Sequence, residues 1–179
     1  VDGIRYYINA FWPPNGGGSH ALQKGPYHAC FSGNLAAFVI GKFSSIGATV
    51  HDPHLGRGTT AIQSAIMGRV ALGSDINPVS LMLAHPRLAP IALDDIAARL
   101  DALDLAPGPV EHEDLLAFFH PKTRQELEAM RRVLAMNAQV EGANTDRTLD
   151  WIRMAILFRI TGHTPAYLSR QTVPPNQPT

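Results

Sequence analysis

Two aspartates and two glycines bracket the part of this chain best suited to hold a ligand. Asp52-Pro53-His54-Leu55-Gly56-Arg57-Gly58-Thr59-Thr60 reads as a strand end, a tight turn and a helix start, and Asp75 ends the following strand within Gly73-Ser-Asp-Ile-Asn-Pro78. Glycine lets the backbone approach a ligand closely, and the first turn of a helix leaves its N–H groups free to face one. A carboxylate at the end of the second strand is placed to accept hydrogen bonds from both hydroxyls of a ribose. The turn is not a phosphate cradle of the P-loop kind, because Gly58 is followed by Thr59-Thr60 and no lysine. Nor is it a three-glycine dinucleotide turn, since Ile62 stands near the third glycine position. The leading carboxylate, Asp52, repels a pyrophosphate and attracts an ammonium or a sulfonium. S-adenosylmethionine joins a ribose to both cations, so the segment reads as a methyl-donor site. The alternative is a strand-turn-helix whose glycines serve only packing.

The elements that must position these residues follow from spacing. A strand is expected over 48–51 and another over 70–74. Between them a helix is expected over 59–68, with Ala61, Ile62, Ala65 and Ile66 on one face and Gly68 as its stop. Two strands joined in this way pair in parallel through a right-handed crossover. Residues 33–43 have apolar positions at 35, 38, 39 and 43, a helical spacing, with Asn34 as N-cap. Residues 1–30, which include Trp12-Pro-Pro-Asn-Gly-Gly-Gly-Ser19, are expected to be irregular.

Beyond Pro78 a short helix over 79–84 is expected to stop before Pro86. Residues 93–105 are amphipathic through Leu93, Ile96, Ala97, Leu100 and Leu103, and Ala106-Pro-Gly-Pro109 breaks the chain. Residues 110–119 admit a third strand at 110–112 or a helical turn from Asp114. A helix over 122–140 turns Leu127, Met130, Val133, Leu134 and Met136 inward, and one over 148–161 is apolar nearly all round, hence mostly buried. From His163 the chain is proline-rich and irregular. The expected class is α/β, with parallel strands, flanking helices and a helix-rich C-terminal half. The expected division is an irregular segment 1–30, a ligand-binding core 31–110 and a helical extension 111–179.

Composition narrows the alternatives. A chain of 179 residues, 45% hydrophobic and 17% charged, suits one ordinary globular domain. Its 15 basic and 15 acidic residues cancel, which removes any argument for nucleic-acid binding from bulk charge without opposing it. The lone Cys30 forms no internal disulfide and is read as a small buried residue. No His/Asp/Glu cluster has metal-ligand spacing, so no metal is expected. No apolar run approaches the roughly 20 residues of a membrane span, and Val-Asp-Gly-Ile-Arg is no signal peptide. A cytoplasmic location is expected. Lys122, Arg124, Arg131 and Arg132 interleave with Glu126 and Glu128, the pattern of a solvated helix face rather than a phosphate-contacting one. Trp151 is read as core. Asp114 follows the third-strand alternative or stands as a helix N-terminal acid.

Asp52-Pro-His-Leu-Gly-Arg-Gly-Thr-Thr60 resembles the Asp-Pro-Phe-x-Gly-x-Gly-Thr-Thr motif of amino-group DNA methyltransferases, which methylate adenine N6 or cytosine N4. Gly73-Ser-Asp-Ile-Asn-Pro78 resembles the ribose-binding motif that follows it, and 33–43 is similar to the helix these enzymes place before the first motif. Phe118-Phe-His-Pro121, Ile160-Thr-Gly-His163 and Val173-Pro-Pro-Asn-Gln177 are similar to a subgroup of bacterial DNA methylase-like proteins. The likeness covers most of the chain from about residue 27. It implies a partial Rossmann-like class I methyltransferase fold with S-adenosylmethionine as cofactor. Asp52 and the 53–59 backbone (Pro53, His54, Gly56, Gly58, Thr59) would hold the methionine end, Asp75 the ribose and Ile76 the adenine. For Asp114, where it follows a third strand, the resemblance implies a carboxylate facing the adenine amino group. It further implies DNA as partner of the full-length enzyme, in a restriction-modification setting.

The chain departs from that pattern in three places. His54 replaces Phe and Leu55 a small residue, for which altered rather than lost cofactor binding is expected. The catalytic Asp/Asn/Ser-Pro-Pro-Tyr/Phe motif has no counterpart, because Trp12-Pro-Pro-Asn15 and Val173-Pro-Pro-Asn176 lack both its leading polar residue and its trailing aromatic. No catalytic residue is therefore assigned. The chain is expected to be the cofactor-binding part of a longer enzyme or a degenerate relative. An RNA or small-molecule methyltransferase and a non-catalytic cofactor-binding remnant stay open, since a cofactor turn does not identify the acceptor.

Overall fold

The computed structural model describes residues 3, 20–24, 30–106, 108, 119, 121–138 and 146–160. The fold is mixed α/β, and the chain falls into two compact units, Val1–Leu88 and Ala89–Thr179.

The first unit is built on a βαβ crossover. Strand β1 (Thr49–Asp52) leads through the glycine turn into helix α2 (Thr59–Ile66), and β2 (Val70–Gly73) returns parallel to β1, pairing Thr49 with Val70 and Asp52 with Gly73. The helix ends where glycine permits it. Gly68 adopts φ 75°, its N–H donates to the Ala65 carbonyl at 3.0 Å, and the Arg69 N–H donates to the Ser64 carbonyl at 2.9 Å. That double bond pattern satisfies the last carbonyls of the helix and turns the chain into β2. Arg69 then donates from Nε to Ser44 Oγ at 3.1 Å and from Nη2 to the Ser44 carbonyl at 2.8 Å. The end of helix α1 (Gly33–Phe43) is thereby tied to the same corner.

The sheet has one covered face. Paired residues of parallel strands share a face, so Val50 and Ala71 point to one side and Thr49, His51, Val70 and Leu72 to the other. Ala71 packs on the core of Leu55, Ala61 and Ala84, to which Leu88 also contributes. On the opposite side Val70 and Leu72 remain 53% and 51% exposed. Helix α3 (Pro78–Leu88) supplies Ala84 and Leu83 to the covered side.

The second unit holds α4 (Leu93–Asp101), α5 (Pro121–Ala138) and α6 (Arg147–Ile160). Asp146 starts α6 by accepting from the Thr148 N–H at 3.1 Å, and its other oxygen meets Arg99 Nε of α4 at 3.1 Å. Arg153 donates to the Leu134 carbonyl of α5 at 2.8 Å. Leu149, Ile152 and Met154 of α6 are buried, while Trp151, Ile156, Leu157 and Phe158 are half-buried. Among the described residues no helix is long and apolar enough to cross a membrane.

Several sequence expectations need correction. Ser32, not Asn34, caps α1, accepting from the Leu35 N–H at 3.4 Å. The buried face of α1 runs through Gly33, Ala36 and Ile40, while Phe38, Val39 and Phe43 face outward. Small residues let α1 approach α2 closely, and at Gly33 an added Cβ would lie 3.2 Å from Gln63 Oε1. Ala65 and Ile66 of α2 are exposed, whereas Thr59 and Ser64 are buried. Helix α3 runs through Pro86 instead of stopping before it, and Arg87 in its last turn is anchored on three backbone carbonyls. Helix α4 stops at Asp101 and buries none of its residues.

In α5, Arg124 and Glu128 are 7% and 4% exposed and stand 3.8 Å apart, so they are not a solvated face. Opposite charges one helical turn apart offset each other's desolvation. Cys30 is half-buried rather than buried. Within 1–30 a short 3-10 turn occupies Ala21–Gln23. The third-strand alternative at 110–112, Asp114, the stretch from His163 and both Pro-Pro dipeptides lie outside the described residues.

Candidate functional site

Backbone hydrogen bonds draw the two aspartate motifs into one structure. The Ser74 N–H donates to the Asp52 carbonyl and the Leu55 N–H to the Ser74 carbonyl, both at 3.0 Å, so the pairing of β1 with β2 continues past the strand ends. Asp52 Oδ1 accepts from the His54 N–H at 3.0 Å, the local turn that aspartate favours. Asp75 Oδ2 accepts from the Gly56 N–H at 2.7 Å, and its Oδ1 accepts from the Asn77 N–H at 2.9 Å. Asn77 in turn accepts from the Val79 N–H at 3.1 Å, opening α3 at Pro78.

These contacts set the charge of the site. The Asn77 and Gly56 N–H groups hold the Asp75 carboxyl below its ordinary value of 3.8, with smaller help from the Ser80 hydroxyl and the His54 charge. Asp75 is ionised at neutral pH, and each carboxylate oxygen keeps further acceptor capacity. Ile76 beside it is fully exposed, an aliphatic side chain with no packing of its own.

The glycine turn has two conformational demands. Gly56 and Gly58 adopt φ 51° and 87°, and the Gly58 N–H closes the turn on the Leu55 carbonyl at 2.7 Å. Gly58 also lies against α3, where an added Cβ would come within 2.8 Å of Ala84 Cβ. Helix α2 starts immediately afterwards with no side-chain cap on its first N–H groups. Those donors and the dipole behind them suit an anion.

Of the residues singled out in the sequence, Asp52, His54, Gly56 and Asp75 are joined by this network, with Ile76 adjoining Asp75. Pro53 and His54 are exposed. Leu55, the residue that departs from the family's small one, turns inward and is 5% exposed in the core. Thr59 is also buried, and its hydroxyl accepts from Arg57 Nε at 3.1 Å. Among the described residues no group of three or more His, Cys, Asp or Glu is placed to hold a metal.

Two residues with a bearing on the site were missed. Arg87 and Gln23 are 4% and 1% exposed, and both donate to the backbone around the turn. A signal for Arg87 was present: Ser80, Leu83, Ala84 and Arg87 form one helical stripe, and all are buried. Burial and the neighbouring Arg57 charge lower the Arg87 guanidinium to about 10, so it stays charged at neutral pH.

Residues 5–85 match the model of a DNA methylase family of the N6/N4 type. A type II methyltransferase of Methanocaldococcus jannaschii, M.MjaII, is 32% identical over 63 residues, which is 35% of this chain. The chain spans 12% of the length of that relative. No solved structure gives a significant match.

Proposed function

We propose, from the match of residues 5–85 to a DNA methylase family model, that this chain is the S-adenosylmethionine-binding part of an enzyme methylating an exocyclic amino group of adenine or cytosine in DNA. The observation that carries this reading is the hydrogen bond from the Gly56 N–H to Asp75, which joins the ribose-binding carboxylate to the methionine-end turn. In a Rossmann-like frame Asp75 accepts from the ribose hydroxyls with its remaining lone pairs, and the exposed Ile76 packs against the adenine ring. Asp52 faces the ammonium. The uncapped start of α2 takes the carboxylate of the methionine moiety from the Thr59 N–H onward, with Gly58 allowing the close approach. Pro53 and His54 border the same end. The cofactor supplies an electrophilic methyl group, and the residues named here only bind and orient. The sequence holds no Asp/Asn/Ser-Pro-Pro-Tyr/Phe motif, so none of its residues is assigned to base flipping or methyl transfer.

Isothermal titration of the folded chain with S-adenosylmethionine and with its demethylated product tests the reading. Saturable binding of both is expected, and no heat at millimolar ligand would sink it. The chain alone, mixed with DNA and labelled donor, is expected to transfer no label.

Ile76→Ser separates the adenine contact from stability. Because Ile76 makes no packing contact to lose, the unfolding free energy should stay within about 0.5 kcal/mol of the parent. Affinity for the cofactor should fall about fivefold as apolar contact with the ring is lost. Unchanged affinity would remove Ile76 from the adenine site.

A further inference from the structure

We propose that Arg87 is a positioning residue for the glycine turn, locking the Arg57–Gly58 peptide in the orientation that presents the start of α2 to the cofactor. The inference rests on the cofactor reading given above, but its structural content can be measured without ligand.

Arg87 reaches three backbone segments at once. Its Nε donates to the Leu83 carbonyl of its own helix at 2.7 Å, Nη1 to the Leu22 carbonyl at 2.9 Å, and Nη2 to the Arg57 carbonyl. Arg57 lies between Gly56 and Gly58, so this last bond sets the plane of the peptide that enters α2. That peptide has Gly58 on its C-terminal side, which offers no Cβ to oppose its rotation. Asp75 holds the Gly56 N–H, the Leu55 carbonyl holds the Gly58 N–H, and Arg87 holds the Arg57 carbonyl from outside the turn. A lysine offers one point of attachment where the guanidinium fork serves three.

The same side chain couples the turn to the segment before α1. Arg87 holds Leu22, while the adjacent Gln23 donates to the Thr59 carbonyl at 3.1 Å and to Gln63 Oε1 at 3.4 Å. The 3-10 turn Ala21–Gln23 is thus stapled to the first turn of α2 from two sides.

The test is hydrogen exchange on the ligand-free chain, paired with cofactor titration, for Arg87→Met, Arg87→Lys and the parent. In both variants the Gly56 and Gly58 amides should exchange on the order of 10-fold faster, while β1 and β2 amides keep their parent rates. Cofactor affinity should fall by a similar factor, and Lys should not rescue either readout. Parent-like exchange at Gly56 and Gly58 in a folded variant overturns the proposal. If Met disrupts folding, the charge-preserving Lys variant decides. If neither folds, the parent decides: turn amides exchanging far faster than those of β1 and β2 overturn the lock. Should the parent fail to bind cofactor while the variants still loosen the turn, the functional reading falls and the positioning role stands.

Discussion

Replacing Asp75 with asparagine is expected to weaken S-adenosylmethionine binding on the order of 10- to 100-fold, the scale of losing hydrogen bonds to an ionised acceptor. Two losses combine. The ribose hydroxyls lose a charged acceptor, and the Gly56 N–H, now 2.7 Å from Asp75 Oδ2, meets either a neutral oxygen or an amide donor. Titration calorimetry measures the first loss. Amide exchange at Gly56 measures the second and shows how far the turn itself has loosened. Affinity within threefold of the parent would exclude Asp75 as the ribose ligand.

The pH dependence follows from the lowered carboxyl. Because the folded-state value lies below 3.8, the stabilisation from Asp75 is fully present above the ordinary carboxylate range. It is lost as pH falls through the lowered folded-state value. Binding through Asp75 should therefore stay level from about pH 8 to pH 5 and decline only in stronger acid.

Gly58→Ala is expected to be the most damaging single substitution in the first unit. An L-residue at φ 87° costs about 1–2 kcal/mol, and a methyl group 2.8 Å from Ala84 Cβ adds about 1–3 kcal/mol of overpacking. The backbone of α3 lies behind Ala84, with its Cα 3.4 Å from the same point, so relief requires moving a helix. Denaturant unfolding followed by circular dichroism should show a loss of about 2–4 kcal/mol, with cofactor affinity falling alongside. Gly73→Ala provides the contrast. Its Cβ would come within 2.5 Å of Leu55 Cδ1 and 3.3 Å of Cδ2 and Cγ, side-chain atoms only, and the double variant with Leu55→Ala should recover part of the loss. Equal effects at the two glycines would refute the argument from backbone conformation.

The βαβ unit was legible because local chemistry announces it. Gly58 and Gly68 both occupy positive φ at the ends of α2, and β-branched and apolar residues fill the short runs either side. Asp52 and Asp75 were legible as a pair by spacing, although the hydrogen bond that joins Asp75 to Gly56 spans 19 residues and leaves no local trace. The helical spacing of 33–43 was legible, but its apolar positions do not mark which face of α1 is buried. Close approach to α2 instead selects Gly33 and Ala36 and leaves Phe38 and Phe43 outside. Arg124 and Glu128 were misread for the complementary reason: a charged pair one turn apart looks the same in sequence whether water or protein surrounds it.

By itself the sequence determined that a strand, a glycine turn, a helix and a second strand follow one another, with a carboxylate at each strand end. Such features depend on a few adjacent residues and their allowed backbone angles, so they are written locally. Only the tertiary structure decided which atoms hold the turn in shape. Leu55 faces the core rather than the ligand, Thr59 gives its hydroxyl to Arg57, and Arg87 reaches Leu22 and Arg57 across 65 and 30 residues. Burial and long-range donors depend on what the chain folds against, which no window of sequence contains.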